Sequence, residues 1–244
     1  MAAALALLLW LGTWQVQRLY WKEALIERVN SQLDAEPQNV RDALDNADNI
    51  DQGIDYLPVR IQGTFEPDQA FFEFTTFKGK SGWNVFHLLR LSQSSMTGTS
   101  PYALVNRGYI PYEAKENWQS LAPLPTGVQT IVGLLRTPPV SKPGSFMPDN
   151  VPDEATYYWR DLVSMATSAG LDPDEVSPWY VDAGLPGAKS GETNTWPISG
   201  TTIISFSNNH LQYAVTWYGL ALALLGVGGY FLYARRKAIG SEDG

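Results

Sequence analysis

Among side chains able to do chemistry, His210 is placed most distinctively. It follows Ser207-Asn208-Asn209 and precedes Leu211-Gln212-Tyr213-Ala214-Val215-Thr216-Trp217-Tyr218, the start of a long apolar run. A histidine in the first turn of a helix feels the positive end of the helix dipole, which favours the neutral imidazole and keeps a lone pair for a metal or haem iron. Ser207, Asn208 or Asn209 can cap the open N–H groups of that turn. Tyr213, Ala214 and Trp217, at i+3, i+4 and i+7, can form an aromatic wall for a flat ligand. The competing reading is an interfacial aromatic belt with a histidine that only hydrogen-bonds to protein.

The second histidine, His87, alternates with Val85, Leu89 and Leu91, so a core or half-exposed histidine is expected. Facing His210, it would complete a bis-histidine site. The sequence has no cysteine, which removes disulfides, zinc ribbons, thiol redox chemistry and thiolate copper relays. A bound metal has to use His87, His210, methionine, tyrosine or carboxylates. There is no Gly-x-Ser-x-Gly elbow, His-Glu-x-x-His pair or glycine-rich phosphate loop, and paired acids such as Asp153-Glu154 and Asp174-Glu175 read as turn or helix-start residues. No enzymatic activity is expected.

The elements that position His210 begin with the membrane. From Ala214 to Tyr233 the only ionisable side chains are tyrosines, and roughly 20 helical residues cross a hydrocarbon core. Arg235, Arg236 and Lys237 follow and mark the inner side. Near the N-terminus, Ala2 to Leu11 is apolar and Trp10 and Trp14 suit an interface, but Arg18 comes early. The reading is an uncleaved anchor, short at its start, with native residues expected before Met1. A secretory signal fits less well, without a basic region before or a small-residue cleavage site after the apolar run. Arg18 and Lys22 are placed at lipid head groups.

These features predict an α+β membrane protein, with two transmembrane helices flanking an extracytoplasmic, mainly antiparallel β domain that carries a few inserted helices. The first helix is assigned to residues 1–16, the domain to 17–207, the second helix to 208–234 and a cytoplasmic tail to 235–244. The middle is rich in glycine, proline and aromatics. Its strands are expected at Leu57–Phe65, Ala70–Phe77, Trp83–Leu91, Tyr102–Ile110, Val128–Leu135, Pro178–Ala183 and Ile198–Phe206. Glu66-Pro67-Asp68 reads as a turn. The stretch from Thr137 to Pro152 holds five prolines and reads as a loop, and a helix is expected from Asp153 to Gly170. The segment Asp34 to Asp55, with seven acids against one arginine, reads as a solvated helix or loop. With 25 acidic and 17 basic residues and a net charge of -8, a nucleic-acid groove is excluded.

Several strings together resemble a known family. They are Gly12-Thr13-Trp14-Gln15 with Arg18, Trp21 and Lys22; Leu104-Val105-Asn106-Arg107-Gly108-Tyr109-Ile110-Pro111; Gly133-Leu134-Leu135-Arg136; Trp159-Arg160-Asp161-Leu162; Tyr180-Val181-Asp182; and Asn208-Asn209-His210-Leu211-Gln212-Tyr213-Ala214 with Thr216-Trp217. The chain resembles the surfeit locus protein 1 family, assembly factors for haem-copper cytochrome c oxidase. That resemblance implies two membrane helices around an outward domain, and a role in placing haem a in oxidase subunit I without catalytic turnover. The acidic segment and His87 match nothing in the pattern.

Under that resemblance His210 becomes the iron ligand, with Tyr213 and Trp217 beside the porphyrin. Arg107 and Arg136 are candidates for its propionates, since a guanidinium fork pairs with carboxylates; structural pairing with nearby acids is the favoured alternative. Haem a is the expected cofactor, and subunit I, haem a synthase and membrane lipid the expected partners. A bacterial inner membrane with a periplasmic domain is expected over a mitochondrial one, since no arginine-rich leader is present. Two rival functions are a scaffold that holds subunit I or recruits haem a synthase without touching haem, and a membrane-anchored haem-modifying enzyme.

Overall fold

Alanine and leucine dominate the two ends of the chain, and both ends are long helices. The computed structural model describes residues 2–47, 54–186, 196–201 and 208–240. It forms two units, one of Met1–Asn30 with Ser205–Gly244 and one of Ser31–Ile204. In the first, α1 (Ala2–Leu33) and α5 (His210–Gly240) run antiparallel, because Gly12 and Thr13 meet Tyr218 while Gln15 meets His210.

The seam is made of small residues. A Cβ on Gly12 would lie 2.8 Å from the Tyr218 ring, Thr13 Oγ1 and Tyr218 OH are 3.1 Å apart, and Ala214 and Ala221 are each 2% exposed. Such residues let helix backbones approach where lipid offers no hydrophobic drive. Leu7, Trp10, Val215, Leu222, Val227 and Phe231 are exposed, the pattern of a pair whose outer surface is apolar. Within α5, His210–Phe231 is long and apolar enough to cross a membrane, and among the described residues it is the only such stretch. α1 is helical from Ala2, but Gln15, Gln17 and Arg18 interrupt its apolar run early.

The second unit is built on β1 (Gln38–Asn39), β2 (Pro58–Phe77), β3 (Lys80–Leu91), β4 (Tyr102–Pro111), β5 (Gln129–Arg136), β6 (Thr156–Tyr157) and β7 (Val176–Ala183), with α2 (Val40–Ala47), α3 (Trp118–Leu121) and α4 (Leu162–Ser168) between them. Strand order is β1-β2-β3-β4-β7-β5, and β5 pairs back onto β2. The 20-residue β2 makes this closure: its first part, Pro58 to Gly63, pairs with β5, and its later part runs against β3. The five main strands therefore form a ring. Inside lie Val59, Ile61, Leu89, Leu91, Ala103, Val105, Leu135 and Val181, with Val40 and Ala43 of α2 packed onto the same cluster. Each such aliphatic side chain contributes about 1.5–3 kcal/mol relative to exposure.

The outside of the ring is covered in part by α4, whose Leu162, Met165 and Ala166 pack on Phe71, Phe86, Leu88, Leu104 and Tyr180.

Four expectations need correction. Glu66-Pro67-Asp68 is no turn: β2 continues through it, and the register shift between Phe65 and Ala70 absorbs the proline, the position where a strand tolerates a missing N–H. The expected meander is only partly antiparallel, since β7 runs parallel to β4. The helix expected from Asp153 is only α4; a 3-10 turn at Pro152–Glu154 and then β6 come first, and Asp161 caps α4 by accepting from the Ser164 N–H at 3.0 Å. The acidic segment is not simply solvated, because α2 turns Val40 and Ala43 inward and exposes Asp42 and Asp45. The strand expected at Ile198–Phe206 falls mostly outside the described residues; Ile198 itself bridges Tyr109.

Candidate functional site

Within the helical unit, His210 opens α5 and is half-buried. Its Nδ1 lies 2.7 Å from Oε1 of Gln15, which is 9% exposed on α1. A carbonyl oxygen only accepts, so Nδ1 is the donor in this contact and Nε2 is left outside it. Metal-ligating imidazoles commonly donate their other ring N–H to an oxygen in this way. Tyr213 is 54% exposed and Trp217 half-buried, whereas Ala214 is buried in the helix seam and is no part of an open wall. Of the expected caps, Asn208 Oδ1 is buried with no hydrogen bond among the described residues, and Ser207 lies outside them.

The other site candidates belong to the sheet unit and do not cluster. Arg107 reaches the Ala122 and Pro123 carbonyls, at 2.9 and 2.8 Å, and its guanidinium lies 5.7 Å from the Phe65 ring centre. The expected acid partner is replaced by backbone oxygens. Burial lowers its pKa to about 10. Beside it, His87 is 0% exposed, packs 4.9 Å from the Trp118 ring, and has no hydrogen bond on either nitrogen. Burial, and then Arg107, lower its pKa to about 3, so it is a neutral core group, as its strand spacing indicates. Among the described residues no three His, Asp or Glu side chains gather as metal ligands.

Arg136 emerges on the outside of the ring. Its Nη1 lies 3.2 Å from Asp182 and its Nε 3.5 Å from Asp55, and Tyr56 stacks on it at 4.2 Å. Burial opposes its charge, but Tyr180, Asp182 and Tyr56 hold its pKa above the ordinary value. Asn106 donates to the same Asp182 at 2.8 Å.

A parallel arrangement sits alongside. Arg160 Nε lies 3.1 Å from the Glu73 carboxylate, Arg160 Nη1 donates to Tyr180 OH at 2.7 Å, and Asn84 donates to Glu73 at 2.9 Å. Burial raises the Glu73 pKa against the pull of Arg160 and Asn84. Both arginines line a cleft of about 310 Å³ with Tyr56, Thr75, Phe77, Asn84, Asn106 and Tyr109. Glu73, Asn84 and Arg160 escaped the sequence reading as functional groups; Arg160 and Asn106 stand in recognisable strings, while Glu73 carries no local signal.

With this geometry in view, comparison with known proteins is decisive. The sequence profile of the SURF1 family matches residues 2–222. The chain belongs to the SURF1 family. Surfeit locus protein 1 of Rattus norvegicus is 32% identical over 229 residues, covering 87% of this chain and 68% of the relative. The Homo sapiens protein of the same name is 30% identical over 225 residues, covering 87% and 70%. A SURF1-like protein of Monosiga brevicollis is 28% identical over 240 residues, covering 96% and 85%. The SURF1 match spans both long helices up to residue 222, and therefore includes Gln15 and His210.

Proposed function

We propose that this SURF1-family chain is an assembly factor for haem-copper cytochrome c oxidase that holds haem a at His210 and hands it to subunit I. The observation that carries the reading is the Gln15–His210 hydrogen bond. It supports a ring held by Nδ1 in one orientation, with Nε2 left as the nitrogen that would ligate haem iron. Haem bound there would supply an iron for the His210 imidazole to ligate. Tyr213 and Trp217 would flank it. Of the two arginines expected at propionates, Arg136 pairs with Asp55 and Asp182 and Arg107 is committed to two carbonyls.

The same reading takes α1 as a second membrane helix, with the sheet unit in the periplasm of a bacterial inner membrane and Arg235, Arg236 and Lys237 inside. Haem a synthase and subunit I are the partners it implies, and the chain acts as a carrier rather than a catalyst.

The test is the absorption spectrum of the protein purified from cells that make haem a. Wild type carries a Soret band, and His210→Ala loses it. A haem-free wild type overturns carriage and leaves the scaffold that only holds subunit I or recruits the synthase.

A further inference from the structure

Four neighbouring strands change character together on the outer face of the ring. Moving two residues along each, Phe71 gives way to Glu73 on β2, Phe86 to Asn84 on β3, Leu104 to Asn106 on β4, and Tyr180 to Asp182 on β7. Alternate residues share a face, so the apolar floor under α4 passes abruptly into a polar one. Glu73, Asn84, Asn106 and Asp182 are 8, 6, 4 and 2% exposed. Burying such groups is costly unless each is satisfied, and here they are satisfied in two matching sets: Asn84 and Arg160 on Glu73, Asn106 and Arg136 on Asp182.

Each acid–asparagine pair holds one arginine in a fixed pose. Arg160 spends Nε and Nη1 on Glu73 and Tyr180, and Arg136 spends Nε and Nη1 on Asp55 and Asp182. The Nη2 group of each has no hydrogen bond among the described residues. Both arginines line the cleft, whose wall includes Phe77 and Tyr109 with ring centres 5.3 Å apart. A network serving stability alone would close over itself. This one leaves about 310 Å³ above two prearranged guanidinium groups, at the lower end of the ~300–1,000 Å³ typical of ligand sites.

We propose that this cleft binds a small carboxylate, its oxygens on Arg136 and Arg160 and its body against Phe77 and Tyr109. The proposal does not rest on haem at His210. One open Nη2 group on each of two fixed guanidinium groups suits the two oxygens of a planar carboxylate, and the volume suits a compact acid or a single carboxylate arm of a larger molecule.

The test uses the full chain in detergent, purified from cells that make no haem a, with benzoate as probe and benzamide as the neutral isostere. Calorimetry and ligand-observed NMR should show benzoate binding with a Kd in roughly the micromolar to millimolar range, and no benzamide binding. Thr75→Phe, which adds bulk to the cleft lining and keeps both arginines, and Arg136→Lys, which keeps the charge but loses the fixed Nη2 group, should each weaken benzoate at least tenfold; His210→Ala should not change it. Failure of wild type to bind benzoate, or equal binding by folded Thr75→Phe, overturns the proposal, and the second variant decides if Arg136→Lys does not fold. Displacement of benzoate by haem a would name a porphyrin side chain as the natural carboxylate, and its absence a free acid.

Discussion

Gln15 Oε1 stands at hydrogen-bond distance from His210 Nδ1, as a carboxylate or backbone carbonyl does beside many metal-bound histidines. Gln15→Leu should therefore weaken haem binding by about 10–100-fold. In the haem-free protein, ¹⁵N NMR should report a single Nδ1–H tautomer for wild-type His210 and a mixture in the variant; one unchanged tautomer would show that the glutamine does not set it. His87 offers a contrast, being buried, neutral and without a partner. Its folded pKa of about 3 lies below the ordinary 6.5, so the unfolded chain takes up the proton first as pH falls. The stability it confers is complete above about pH 6.5 and is lost as pH drops toward 3. Chemical unfolding of wild type should fall by up to about 1.4 kcal/mol per pH unit more steeply than that of His87→Leu across this window. Parallel slopes would refute the assignment.

Among the elements, the strands were legible because alternation persists: Val59 and Ile61, or Val85, His87 and Leu89, place every second side chain inward. What misled was local punctuation. Glu66-Pro67-Asp68 resembles a turn, yet the chain uses it as a bulge within one long strand, since pairing on both sides of the proline outweighs one lost donor. The short α4 starts at Asp161 rather than Asp153 because Pro152–Glu154 is spent on a 3-10 turn, and nothing in helical periodicity distinguishes the two caps. Gly108 in β4 shows another device invisible to patterning. Its φ of +126° and a would-be Cβ 2.1 Å from the Ile198 carbonyl oxygen exclude a side chain. Gly108→Ala should cost more than about 2 kcal/mol in thermal unfolding; a smaller loss would mean that the Ile198 segment yields. The candidate site was half legible. His210 stood out by its neighbours, but Gln15 is 195 positions away, and no spacing rule connects them.

For the whole molecule, the outer polar floor and the inner apolar core make opposite demands on substitution. Arg160→Met leaves Glu73 buried beside a single asparagine, and removing one member of a buried pair typically costs about 3–5 kcal/mol. Adding Glu73→Gln should recover a large part of that loss, so that the double variant unfolds at higher denaturant than Arg160→Met alone. Additive losses would show the two side chains to be independent. The ring closure of β2 onto β5 carries a last consequence for recognition. Many proteins capture a peptide by letting it hydrogen-bond, backbone to backbone, along an unpaired strand margin. Here β3 lies between β2 and β4, and β2 meets β5 where such a margin would otherwise open. The joined edges of β2 and β5 thus offer a passing peptide no margin for β-augmentation along Pro58–Gly63.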